Sequence, residues 1–379
     1  MNWPEGFLPW LARNLSVTWL AIASCCPASL AGEQRPLAEG ESLRLAVARA
    51  SASSSRWDGP VAGPPARPAV VVAVVCEDLR NGGVLGVARG IIEAGGVLGW
   101  RIRILDAHGT PAGRTRALAA ALDMAVDGLV LVGSDARSLN TPLASFAARG
   151  IPVVGWHVGP RAGGLAQAPV AMNVSTDPLE VARVAAMAAI IDTPDPKGMV
   201  IFTDTSFDIA TAKSDAMARL VRSCGSCRLL ETRALPISRI PQDMPRLTRE
   251  LLARHGSRWT HALAINDLYF DYAAPELTQA GRALRLVSAG DGSPAAFQRI
   301  QAGMFQIGTV AEPLNLQGWQ LLDELNRLLS GQSVTGHVHP PHLVTPDNIG
   351  NDGGQQLQYD PDNGYRLHYR RIWRPEGEP

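Results

Sequence analysis

Residues 69–76 form an unbroken apolar run dominated by valine, bounded by Pro68 on one side and by the acidic pair Glu77-Asp78 on the other. A continuous β-branched run with turn signals at both ends predicts a parallel strand buried on both faces. The residues that follow supply the connections such a strand needs. Helical spacing covers 83–98, an extended segment 101–106, a helix 114–125, a strand 128–133, a helix 141–149 and a strand 151–156. This alternation predicts a parallel sheet with right-handed crossovers and helices on both faces.

The pattern restarts after Asn173. Helices are expected over 177–191, 209–223 and 245–255, with extended segments over 199–203, 228–233 and 261–266 between and after them. Further units follow at 272–280 (helix), 284–289 (strand), 294–302 (helix) and 307–310 (strand). A long amphipathic helix, 313–329, and an extended stretch, 338–344, come last. At 379 residues the chain exceeds one ordinary domain of roughly 100–200 residues. The fold class expected is α/β, with two Rossmann-like lobes, each built on a parallel sheet, joined by a multi-strand hinge. The first lobe is assigned 69–174 and 312–341, the second 175–311 and 342–374.

Composition narrows the function. Hydrophobic residues make up 46% and charged residues 18%, which excludes a wholly disordered chain. Lys+Arg and Asp+Glu both number 35, so no strongly basic face is expected and nucleic acid is excluded as a first partner. Lys197 and Lys213 are the lysines; the remaining basic charge is arginine.

Ahead of the lobes, residues 1–31 read as a signal peptide. Arg13 precedes an apolar run, 15–24, of the length of an h-region, and Ser29-Leu30-Ala31 offers small residues for cleavage before Gly32. A competing reading makes Ile22-Ala23-Ser24-Cys25 a lipobox with Cys25 lipidated. The Ala, Ser, Pro and Gly content of 32–68 predicts a disordered linker. Beyond the leader no run is apolar for the width of a bilayer.

In open parallel sheets, ligands sit outside the carboxyl ends of the strands. Those positions hold Glu77-Asp78-Leu79-Arg80-Asn81, Asp106, Ser134-Asp135 and Trp156-His157 in the first half. In the second half they hold 203–207 with Phe207, Asn266-Asp267 and Asp291-Gly292. Short carboxylates and amides interspersed with aromatic rings suit a small polar ligand.

With the Asn266-Asp267 pair after a strand, the exit 289–292, the segment Gly308-Thr309-Val310-Ala311-Glu312-Pro313 and the helix from Leu314, the chain over residues 69–345 resembles the type I periplasmic binding proteins of the ribose and sugar-binding kind. The resemblance implies two lobes closing on a small polar ligand, a closed form read by an ABC permease or by the periplasmic domain of a sensor kinase, a periplasmic location, a monomer, and no cofactor or catalysis. It places Asn266 and Asp291 as the amide and carboxylate that bind ligand hydroxyls, with Glu312 beside a further polar contact position held here by Ala311. Phe207 falls in the loop of an aromatic contact, and Lys213 or Thr211 near a ligand-binding arginine. Asp78, Asn81, Asp135 and Asp267 complete the expected ligand set. Trp156-His157 stands where the family grips sugar hydroxyls with an Asp-Arg pair, a departure that argues against a plain pentose or hexose.

Each residue has a structural alternative. Asp267 and Asp291 suit helix N-caps, Phe207 and Tyr269 suit core positions, and His157 suits a hydrogen-bonded structural imidazole. Cys224-Gly225-Ser226-Cys227 closes a helix and reads as a local disulfide rather than a redox pair, while Cys76 reads as a buried free thiol. His337, His339 and His342 cluster, but Pro340-Pro341 interrupts regular geometry and no metal site is expected. Phosphate-cradling, zinc-protease and nucleophile-elbow motifs are absent. The aromatics Tyr365, Tyr369 and Trp373 are expected to cap the second lobe.

Overall fold

A computed structural model describes residues 34–53, 56–163, 169–193 and 195–374, with side chains from Gly40 onward. The expected signal peptide and Cys25 lie outside the described residues. Contacts divide the chain into Met1–Glu39, whose described residues begin α1 (Gln34–Ala50), and Gly40–Pro379, which carries both lobes. Among the described residues no helix is long and apolar enough to cross a membrane.

The first lobe is built on β1 (Val71–Cys76), β2 (Arg101–Asp106), β3 (Gly128–Val132), β4 (Val153–Trp156) and β5 (Met172–Val174). These five strands form one parallel sheet in the order β2-β1-β3-β4-β5. Between them run α2 (Gly82–Leu98), α3 (Pro111–Asp123) and α4 (Asn140–Ala148). Valines of β1 are buried toward both faces, as the unbroken apolar run predicts. Asn81 starts α2 by accepting from Gly83 N–H at 2.9 Å, and Gly99, in the left-handed region at φ 72°, ends it.

The second lobe carries β6 (Lys197–Thr203), β7 (Cys227–Ala234), β8 (His261–Ala264), β9 (Arg285–Ser288), β10 (Gln306–Ala311) and β11 (His342–Val344). Their order is β11-β10-β9-β8-β6-β7, parallel except for β11, which runs antiparallel to β10. The accompanying helices are α5 (Pro178–Ile191), α6 (Asp208–Ser223), α7 (Ile240–His255), α8 (Leu268–Gln279) and α9 (Pro294–Gln301). Cys224 and Cys227 are joined as a disulfide in the turn from α6 to β7, and Cys76 is a buried free thiol.

After β5 the chain crosses between lobes four times: from β5 to α5, from β10 to α10 (Leu314–Leu329), from α10 to β11, and from β11 to the C-terminal helix. Helix α10 returns to the first lobe, where Leu314, Trp319, Leu322 and Leu325 join the core of α2 and β1. The two helices approach so closely that a Cβ at Gly318 would lie 2.6 Å from the carbonyl carbon of Gly90, which is why small residues stand at both positions.

Two expectations need correction. The helix α11 (Tyr365–Trp373) caps the first lobe, not the second: Trp373 stacks on Trp319 with ring centroids 5.3 Å apart, and its indole N–H donates to Asp323. Nor is 32–68 a disordered linker throughout. It contains α1, and residues 57–67 are fastened along the first lobe. Trp57 stacks on His368 at 5.4 Å, Arg327 and Asn326 donate to the carbonyls of Ala62, Pro64 and Pro65, and Ala66 N–H donates to Trp373. These backbone carbonyls find partners on α10 that composition alone does not announce.

Candidate functional site

The carboxyl ends of both sheets face one another across a cavity of about 110 Å³. Loops after β1, β2, β3 and β4 supply one wall, and loops after β6, β7, β8 and β9 supply the other. This is the place where parallel sheets leave backbone groups and helix N-termini available to a ligand.

On the first-lobe wall, Glu77 follows β1 directly. Its carboxylate accepts from Ser134 Oγ at 2.7 Å and lies 3.2 Å from Arg114 Nε on α3. Burial pushes the Glu77 carboxyl above its usual range, against the pull of Ser134 and Arg114. Asp78 is held in a fork by Arg80, and the Asn81 side-chain oxygen is committed to capping α2. Trp156 ends β4 with its indole N–H donated to Gln317 at 2.8 Å. His157 turns through the left-handed region at φ 51°, so that its ring stacks on Trp156 with centroids 3.7 Å apart.

On the second-lobe wall, Asn266 Nδ2 donates to Asp291 Oδ2 at 2.6 Å. Lys213 reaches up from α6 and donates to the carbonyl of Ala289 at 2.9 Å. Asp204 shapes the floor by accepting from the N–H groups of Ser206 and Ile237, each at 2.8 Å. Phe207, Ile209, Ala210 and Ile265 add apolar surface, and Ser206 and Ser238 add hydroxyls.

Two buried carboxyls are tuned in opposite directions. Burial pushes Asp291 up to about 6, with Lys213 and His157 pulling the other way. Glu312 is also buried, but the adjoining His157, with Nε2 2.8 Å from Oε1, outweighs desolvation, and with Lys213 and Gln317 holds it down to about 2. Asp291 can therefore change protonation in a range where Glu312 stays ionised.

Of the residues expected from sequence, Asp78, Asn81, Trp156, His157, Phe207, Lys213, Asn266 and Asp291 line the cavity. Three others stand elsewhere. Asp267 lies beneath the site, accepting from Gly292 N–H, Ser293 N–H and Gln306. Glu312 sits behind His157, accepting from Gln317 at 2.8 Å. Asp135 caps a 3-10 turn and accepts from Asp208 N–H of the opposite lobe at 3.2 Å. The expected ligand set left out Glu77 and Ser206, which stand at strand exits, and Arg114 and Ser238, all of which line the cavity. Glu77 carried the strand-end signal, whereas Arg114 is brought in by the first turn of α3, with no local mark. Tyr269 is core, stacked on Phe202 with its hydroxyl donated to Leu235.

The lobes meet at the rim of the cleft. Arg137 of the first pairs with Asp208 of the second. Beside the cavity, a Cβ at Gly83 would lie 2.3 Å from Asp291 Oδ2, so the first turn of α2 abuts the carboxylate of the other lobe.

Comparison with known proteins agrees with this geometry. The family model described as "Periplasmic binding protein domain" matches residues 72–333. No curated protein matches in sequence. Among solved structures, a sugar ABC transporter protein from Yersinia enterocolitica subsp. enterocolitica 8081 superposes with a TM-score of 0.68 at 15% identity, covering 81% of this chain and 96% of that one. The Caulobacter myo-inositol binding protein bound to myo-inositol gives 0.66 at 18% identity, covering 76% and 96%. An Agrobacterium vitis ABC transporter solute binding protein with bound allitol gives 0.65 at 17%, covering 74% and 97%.

Proposed function

The chain belongs to the periplasmic binding protein domain family, and from that premise we propose that it is an exported solute-binding protein that closes on a small polyhydroxylated ligand, a sugar or polyol, and presents it to an ABC importer. The observation that carries this reading is the pairing of Asn266 with Asp291 on one wall, opposite Glu77 and Arg114 on the other. A carboxylate that accepts from ligand hydroxyls, an amide that orients it, and a second carboxylate–guanidinium pair facing them recognise hydroxyls from two sides. Glu77 and Arg114 also provide the acid–guanidinium chemistry that Trp156-His157 lacks. The rings of Phe207 and Trp156 offer flat apolar surface to a sugar or cyclitol face.

The fold relatives support the ligand class through the myo-inositol and allitol bound to them. Closure joins residues of both lobes around the ligand and so couples occupancy to the shape a membrane partner meets. The direct test is calorimetric titration of the chain with sugars and polyols, repeated on Asp291→Ala and Asn266→Ala. A charged hydrogen bond contributes about 1.5–3 kcal/mol, so Asp291→Ala is expected to weaken binding at least about tenfold. Unchanged affinity in both variants refutes the site.

A further inference from the structure

Outside the cavity lining, the segment between α10 and β11 brings two imidazoles against a carboxylate from a distant part of the chain. His337 Nε2 lies 3.2 Å from His339 Nδ1 and 3.5 Å from Asp58 Oδ1, and the three ligand atoms all fall within 4.8 Å of one another. We propose that Asp58, His337 and His339 form a site for a divalent transition metal of the zinc type.

Two of the three spacings, 3.2 and 3.5 Å, are those of a coordination shell. Ligand atoms about 2.0–2.2 Å from a tetrahedral zinc ion stand about 3.3–3.6 Å apart. Two imidazoles and one carboxylate leave a fourth position, and Asp58 lies at the surface, where water can fill it.

Each ligand is held by its own support. The rings of His337 and His339 meet edge to face with centroids 4.4 Å apart. His337 N–H donates to Thr335 Oγ1 at 3.1 Å, its carbonyl accepts from Gln320 at 2.9 Å, and Pro340-Pro341 restrict the chain beyond His339. Asp58 is placed by Trp57, whose ring stacks on His368 and whose indole N–H donates to Pro60. His342, the third histidine of the sequence cluster, takes no part because Asp352 claims it at 3.0 Å.

The other close group of potential ligands, His157, Asp291 and Glu312, is already occupied by its own contacts with Asn266, Gln317 and one another. At Asp58–His337–His339 the metal has a clear structural consequence. It ties the segment fastened along the first lobe to the connection by which the chain passes from α10 to β11.

The test uses the untagged full chain, stripped with chelator and titrated with Co²⁺ and then Zn²⁺. The expected result is one Co²⁺ per chain with the visible absorption of a four-coordinate N/O site, bleached by one equivalent of Zn²⁺. Asp58→Ala and His337→Ala, both away from the cavity, are each expected to weaken binding at least about tenfold, with far-UV circular dichroism unchanged. Absence of stoichiometric binding, or unchanged affinity in either folded variant, overturns the proposal and leaves a simple hydrogen bond between the two rings.

Discussion

Asn266 presents Asp291 to the cavity: its Nδ2 donates to Asp291 Oδ2 at 2.6 Å, and its own Oδ1 accepts from Leu268 N–H at 2.9 Å at the start of α8. The amide is thus oriented by a helix start and in turn orients the carboxylate.

The ionisation of Asp291 opposes folding. Its pKa rises from 3.8 to about 6, so between pH 4 and 6 the native state holds a proton that the unfolded chain releases. Stability is greatest below pH 4 as far as this group is concerned, and it falls as pH rises through 6, by about 3 kcal/mol in all. Asp291→Asn, which keeps the acceptor for Asn266, is expected to flatten that part of the profile and raise the urea midpoint at pH 7.5 while weakening ligand binding. Urea melts from pH 4 to 8 check it.

Glu312 works in the opposite sense. Held down to about 2 from 4.5, it contributes stability that is present above pH 4.5 and lost as pH falls toward 2. The contribution is about 3 kcal/mol. Glu312→Gln is expected to be less stable at pH 7 and to lose less on acidification between pH 4.5 and 2. Thermal melts across that range distinguish the two buried carboxyls.

The lobes are held together lightly at the rim. Arg137 and Asp208 are both substantially exposed, so their pairing contributes no more than about 1 kcal/mol. Arg137→Ala is expected to reduce ligand affinity by a factor of about 5 at most, chiefly through faster release, and the difference should shrink in high salt. Stopped-flow release at two ionic strengths reads both effects.

The disulfide at the α6–β7 turn lies outside the cavity lining. A loop this short stabilises by about 2 kcal/mol in the chain-entropy account. Cys224→Ser is therefore expected to lower Tm by a few degrees and leave ligand affinity unchanged, as measured by scanning calorimetry and titration.

Much of this architecture is legible in sequence because period and punctuation are local. The valine run of β1 and the alternating units after it define two parallel sheets, and strand ends point to Asn266, Asp291 and Glu77. What a helix packs against is not local. The aromatic face of α11 announces burial without saying that Trp319 of the first lobe receives it. The same holds for Arg114, which joins Glu77 through the crossover geometry of α3, and for Asp58, which meets His337 only because Trp57 anchors its segment. Asp267 and Asp291 carry the same strand-end signature, yet one turns inward to a ring of N–H donors and the other outward to the cavity.

Every prediction for the cleft rests on its capture of a sugar or polyol between the lobes. That capture is tested most directly by titrating the full chain with a panel that includes myo-inositol, allitol, pentoses and hexoses at pH 7.5, alongside Asp291→Ala. Saturable one-to-one binding of at least one member, lost in the variant, is expected. No binding by any member at millimolar concentration, or binding that survives Asp291→Ala unchanged, contradicts it.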